Sequence, residues 1–275
     1  MTRLFTLLFL LFFNFSNYAD VTQVSNPTPI RLAIVNTPVY SGLIQYLIND
    51  FEQQTGLHVE LTNGSDVFEI AKLEQADIVI SHFGKAHLDQ FVLEGFGEWP
   101  RMVFSNQAVI IGPSSDPAKI KGSINAAQAL IKIAHSQSKF IASPQAGVQY
   151  LTDIIWNQAG QPNKSPWFIE PNDGGNSVAK FAEQQQAYFI WGAIPFLKYK
   201  AKNNSKLTIL INDDPLLQRV MSSTIVNPKK MNSSNYAGAK ALQDYLLKAS
   251  TQAKIAAFRT PNSDLQLWWP AARHN

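Results

Sequence analysis

Cysteine is missing from all 275 residues. That excludes disulfide staples, thiolate metal sites, a thiol nucleophile and a lipidated N-terminal cysteine. Charge is sparse as well: 23 Lys+Arg against 20 Asp+Glu leave a net +3, without a basic block to track phosphates, so no nucleic-acid partner is expected. Catalytic signatures are missing too. There is no Gly-x-Ser-x-Gly, no Walker loop, no His-Glu-x-x-His and no acidic pair in a catalytic context, so the chain reads as a non-enzyme without a cofactor. His82 and His87 fit neither one helical face nor a short chelating motif, and no metal site is expected. The single long apolar run, residues 4–13, is shorter than the roughly 20 residues that span a bilayer. Behind Met1-Thr2-Arg3 it reads as a secretory signal peptide over 1–19, cut after Ala19, with a polar leader over 20–29. The expected product is a soluble, monomeric periplasmic protein, long enough to bury a large core without staples.

What is present is an alternation of strands and helices. Residues 30–35 form a nearly continuous apolar run, as in a sheet covered on both faces. Leu43, Ile44, Leu47, Ile48 and Phe51 then recur at helical spacing, and Gly56 ends the helix. Further strands are predicted over 58–61, 77–80, 107–113, 139–142, 187–191, 207–211 and 223–227. Further helices are predicted over 67–73, 126–135, 148–158, 178–184, 236–247 and 251–258. Strands alternating with helices imply parallel pairing with right-handed crossovers. The fold class is therefore α/β, and the restart after residue 111 divides it naturally into two lobes.

Candidate site residues lie where strands run into helices. Thr37 is a good N-cap and Pro38 suits a first helical turn, so the N–H groups there could bind an anion. Ordinary helix capping explains the same residues. Asn63-Gly64-Ser65-Asp66 is a second such junction, readable also as a plain turn; Ser143-Pro144-Gln145-Ala146-Gly147 and Asn172-Asp173-Gly174-Gly175 supply two more. If these starts face one cleft, Asn36, Thr37, Ser65, Ser143, Gln145, Gly147 and Gly174 would form a cage of neutral donors for an oxyanion.

Several segments in order carry a family resemblance. They are Ser41-Gly42-Leu43-Ile44, Asp77-Ile78-Val79-Ile80-Ser81-His82, Phe91-Val92-x-Glu94-Gly95-Phe96-Gly97, Gly112-Pro113-x-x-Asp116-Pro117, Trp156-x-x-Ala159-Gly160 and Val226-Asn227-Pro228. Over residues 30–258 the chain resembles the periplasmic tungstate-binding proteins of ABC importers. The resemblance implies a two-lobed type II periplasmic binding protein with two interlobe crossings, near 112–114 and 221–224. One lobe would comprise 30–112 plus 222–275 and the other 113–221. It also implies a small oxyanion ligand and an ABC permease as partner. From the family's first-loop Thr and Ser it implies ligand roles for Asn36 and Thr37. Where the family has Ser-Arg-Gly-Asp-x-Ser-Gly-Thr-His this chain has Ala142-Ser143-Pro144-Gln145-Ala146-Gly147-Val148-Gln149, and its Thr-Asp-Arg-Gly segment falls on Trp191-Gly192-Ala193-Ile194. Both family arginines are thus replaced, and with only neutral donors carried over the resemblance implies weak binding of an oxyanion such as tungstate or molybdate. Tyr40, Trp191 and Gln145 leave open a different small solute, and a sensor or accessory protein of the same fold is a further alternative.

Overall fold

The computed structural model describes residues 28–275 apart from 213, 232–233 and 261–264. The expected signal peptide and most of the leader lie outside the described residues. No helix among the described residues is long and apolar enough to cross a membrane.

The first set of strands is β1 (Ile30–Ile34), β2 (Val59–Asn63) and β3 (Ile78–His82), with β2 and β3 parallel to β1 on either side. Helix α1 (Asn36–Tyr40) and α2 (Leu43–Thr55) follow β1, α3 (Val67–Lys72) follows β2 and α4 (Ala86–Leu93) follows β3. The apolar face read for α2 is buried, and the helix ends on Gly56 at φ 69, a left-handed conformation that glycine adopts freely. Asp77 holds this layer together. Fully buried at the start of β3, it accepts hydrogen bonds from the Arg31 backbone at 2.8 Å, from Arg31 Nη2 at 2.6 Å and from the Asn235 N–H at 2.8 Å.

The central strand β4 (Arg101–Pro113) starts six residues before the expected 107–113 and belongs to both halves of the molecule. Its first part, Arg101 to Gln107, pairs antiparallel with β9 (Gln218–Ile225), which in turn pairs antiparallel with β3. Its second part, Ala108 to Pro113, pairs antiparallel with β7 (Tyr188–Gly192) and β8 (Leu207–Ile211). Beyond β7 lie β5 (Phe140–Ile141) and the two-residue β6 (Phe168–Ile169), both parallel to their neighbours. The ten strands among the described residues thus form two pairing sets joined through β4. The parallel pairing expected from the alternation holds among β1, β2 and β3 and among β5, β6 and β7, while every pairing made by β4 or β9 is antiparallel. Helices α5 (Ala126–His135), α6 (Ala146–Gln158), α7 (Asn176–Gln185) and α8 (Ala193–Asn203) surround the second set. Helices α9 (Tyr236–Leu247) and α10 (Ala249–Ala257) return to the first, and β10 (Trp269–Pro270) caps β4 there.

This is the two-lobed type II periplasmic binding protein-like fold, its chain passing between lobes along β4 and again ahead of β9. Pairing partners change between Gln107 and Ala108, and β9 is already paired with the first set at Gln218. Both switches fall a few residues before the positions expected, because an uninterrupted apolar strand carries no mark of where its neighbours change.

Candidate functional site

Two adjoining cavities open at the junction of the lobes. The larger, about 680 Å³, is bounded by α1 through Asn36, Thr37 and Tyr40, by α6 through Gly147 and Val148, and by α8 from Ile194 to Asn203. The smaller, about 300 Å³, lies beneath α3 and β3 and includes Ser65, His82, Lys85 and His87. Arg219 lines both.

Strand register puts it there. Asn106 on β4 is the direct partner of Arg219 on β9, and opposed residues in an antiparallel ladder project to the same face. Both side chains accordingly meet the floor of the larger cavity. His82, at the end of β3, is paired with Met221 on the other side of β9. Above this floor stands Gly147, in the first turn of α6: a Cβ there would fall 2.6 Å from Arg219 Nη2 and 3.1 Å from Lys85 Nζ. Only glycine's missing side chain lets both cations reach the helix start.

The cations Arg219 and Lys85 converge at Gly147, while the acids Asp66 and Glu69 line the smaller cavity without forming an ion pair with either. Burial pushes the Arg219 guanidinium down to about 10. The Lys85 ammonium is lowered by burial and by the Arg219 charge. His82 is driven to about 3 by burial, then by the Arg219 and Lys85 charges, which keeps its ring neutral at physiological pH. Among the described residues neither Arg219 nor Lys85 has a carboxylate partner. Two buried polar atoms here also lack hydrogen-bond partners, His82 Nε2 and Asn106 Oδ1. Buried polar groups are normally satisfied. A pocket with unpaired cations and spare polar atoms is built to receive something charged and negative.

The sequence-derived candidates are only partly gathered in one place. Asn36, Thr37, Gln145 and Gly147 line the larger cavity, while Ser65 lines the smaller one across Arg219. Asn36 Oδ1 is occupied by Asn63 Nδ2 at 2.5 Å. Thr37 is not the helix cap that was expected: α1 begins at Asn36 with Val35 before it and no side-chain cap. Pro38 is tolerated because first-turn N–H groups have no intrahelical acceptor. Ser143 is buried and accepts from the Gln145 N–H at 3.4 Å, shaping the turn from below the cavity. Gly174 lies against the Gln145 side chain, where a Cβ would meet Cγ at 2.5 Å, and is not among the lining residues. The two cations that meet at Gly147 do not lie at the positions of the replaced family arginines. Arg219 and Lys85 come from other segments, a strand start and the loop before α4.

Comparison with known proteins agrees with this architecture. The family model described as bacterial extracellular solute-binding protein matches residues 33–258. A tungstate-binding protein, TupA, of Peptoclostridium acidaminophilum is 28% identical over 258 residues, covering 92% of this chain and 89% of that one. The solved tungstate-binding protein TupA of Desulfovibrio alaskensis G20 superposes with a TM-score of 0.78 at 26% identity, covering 89% of this chain and all of the other. A structure described as the tungstate ABC transporter from Geobacter sulfurreducens gives a TM-score of 0.70 at 26% identity, with 84% and 98% covered.

Proposed function

The chain belongs to the bacterial extracellular solute-binding proteins, and from that premise we propose that it captures a small oxyanion between its lobes, in the periplasm, and hands it to an ABC permease. The carrying observation is the meeting of Arg219 and Lys85 at Gly147 without a counter-carboxylate. Unpaired cations at low dielectric are unfavourable when the cleft is empty and become favourable when an anion fills it. Charge-assisted hydrogen bonds from a guanidinium to an oxyanion are among the strongest available, and bidentate geometry adds selectivity. The N–H groups of the first turn of α6 and the hydroxyl of Thr37 supply neutral donors around the same point. The similarity of sequence and fold to tungstate-binding proteins supports an oxyanion over a neutral solute.

We place the division between lobes at the pairing switches, Gln107/Ala108 and the stretch between β8 and β9. The site then sits on the hinge strands themselves, so that ligand held by Arg219 on β9 and by α6 of the second lobe draws the lobes together. Isothermal titration of the chain from residue 20 onward with tungstate, molybdate, sulfate and orthophosphate tests the reading. At least one should bind with 1:1 stoichiometry and raise the melting temperature. If none of the four binds at millimolar concentration, the oxyanion reading is wrong.

A further inference from the structure

The larger cavity is far longer than a single tetrahedral anion needs. Its wall along α8 is made by Ile194, Pro195, Lys198, Tyr199, Lys202 and Asn203, the residues of one helical face, and the helix rises about 12 Å from Ile194 to Lys202. At about 680 Å³ its volume falls in the range of about 300–1,000 Å³ seen for pockets that enclose organic ligands. The two ends are cationic. Arg219 marks the inner end. At the outer end Lys202 lines both this cavity and a shallower one of about 340 Å³ that continues to Lys180. Among the described residues Lys202 has no ion pair. The intervening lysine, Lys198, is engaged elsewhere, its ammonium 4.2 Å from the centre of the Tyr40 ring across the cleft. Trp191, Ile194, Pro195 and Tyr199 give one wall an apolar, partly aromatic surface, amide and hydroxyl side chains from Asn36, Thr37, Asn106, Gln145 and Asn176 complete the lining, and no Asp or Glu lines any part of this cavity.

We propose that the ligand is an elongated organic dianion: an oxyanion head group held at Arg219, Lys85 and Gly147, a flat or apolar middle laid against Trp191 and Tyr199, and a second anionic group at Lys202. This rests on the oxyanion reading of the inner end and specifies what is attached to the oxyanion. A mononuclear anion fills the inner end alone and leaves the aromatic wall and Lys202 unused. An organic middle buries that wall, and its second charge meets Lys202, which among the described residues has no ion pair.

The test is a titration series with three probes of increasing reach: orthophosphate, phenylphosphonate and 4-phosphonobenzoate, with tungstate alongside. Affinity should rise about threefold to tenfold at each step, as a ring packs on the aromatic wall and a carboxylate then reaches Lys202. The exposed variant Lys202→Gln, checked for an unchanged melting temperature without ligand, should bring 4-phosphonobenzoate down to the affinity of phenylphosphonate and leave orthophosphate untouched. Tungstate or orthophosphate binding as tightly as the organic probes would overturn the elongated ligand while leaving the oxyanion reading intact. An equal response of all four anions to Lys202→Gln would overturn it as well. If none of the four binds, the oxyanion reading falls, and this inference with it.

Discussion

Replacing Arg219 with methionine should make the empty protein more stable and the protein unable to respond to anions. Methionine keeps the length and apolar stem of arginine and removes the charge. Burial that lowers the Arg219 pKa to about 10, well below the ordinary arginine value, corresponds to about 3 kcal/mol of disfavoured ionisation. The sign follows from linkage: the folded-state value lies below the unfolded one, so the penalty is complete at every pH below about 10 and is relieved only above it. At neutral pH it is therefore fully present, and part of it disappears with the charge. For a chain of this size each kcal/mol moves the melting temperature by about 2–4 °C, so a gain of about 2–8 °C is expected without ligand. The wild type, in contrast, should gain about 2.7 kcal/mol from a bound anion at a hundred times its dissociation constant, and R219M should gain almost none of it. Differential scanning calorimetry with and without a bound oxyanion reads both quantities in one experiment. A variant that melts lower than wild type when empty, or that keeps the wild-type shift with anion, would show that Arg219 is a structural residue.

Gly147→Ala places a methyl group 2.6 Å from Arg219 Nη2 and 3.1 Å from Lys85 Nζ; flexible side-chain ends can retreat, so stability should change little while anion affinity drops about tenfold, as read by calorimetric titration. His82 is held neutral in the fold, with a pKa of about 3 against 6.5 when unfolded. Its contribution to stability is therefore complete above about 6.5 and lost as pH falls toward 3. Urea unfolding should show about 2 kcal/mol lost between pH 7 and 5 that His82→Gln removes, and an anion neutralising Arg219 and Lys85 should shrink the same slope. Asp77→Ala removes the carboxylate that Arg31 and the Asn235 N–H share and leaves Arg31 its bond to the Glu74 carbonyl, which should cost about 3 kcal/mol and roughly 10 °C in melting temperature with the anion response preserved in the folded fraction.

The residues that were legible in the sequence are those whose roles are local. Ile30 to Ile34, the spacing from Leu43 to Phe51 and the stop at Gly56 each describe their own backbone, and the structure has the elements they describe. Helix α5 has the expected bounds for the same reason, an apolar face followed by Lys132 and His135 in its last turn. Helices α4 and α8 were not expected. Ala86–Leu93 is short, and Ala193–Asn203 carries Pro195 in its first turn and ends in Lys200, Lys202 and Asn203, so neither shows an uninterrupted apolar stripe. Arg219 is illegible for a different reason. It begins a strand whose remaining residues are largely buried, and in one dimension it reads as a solvated strand end. Its role arises from the pairing of Asn106 with Arg219 and of His82 with Met221, contacts separated by more than a hundred residues. The two cations sit on β9 and before α4, in the first pairing set. Gly147, Gly192 and Ile194 line the same cavity from the second pairing set and its helices, so the two walls of the pocket are brought together only by the strand pairing, which no local pattern in the sequence records.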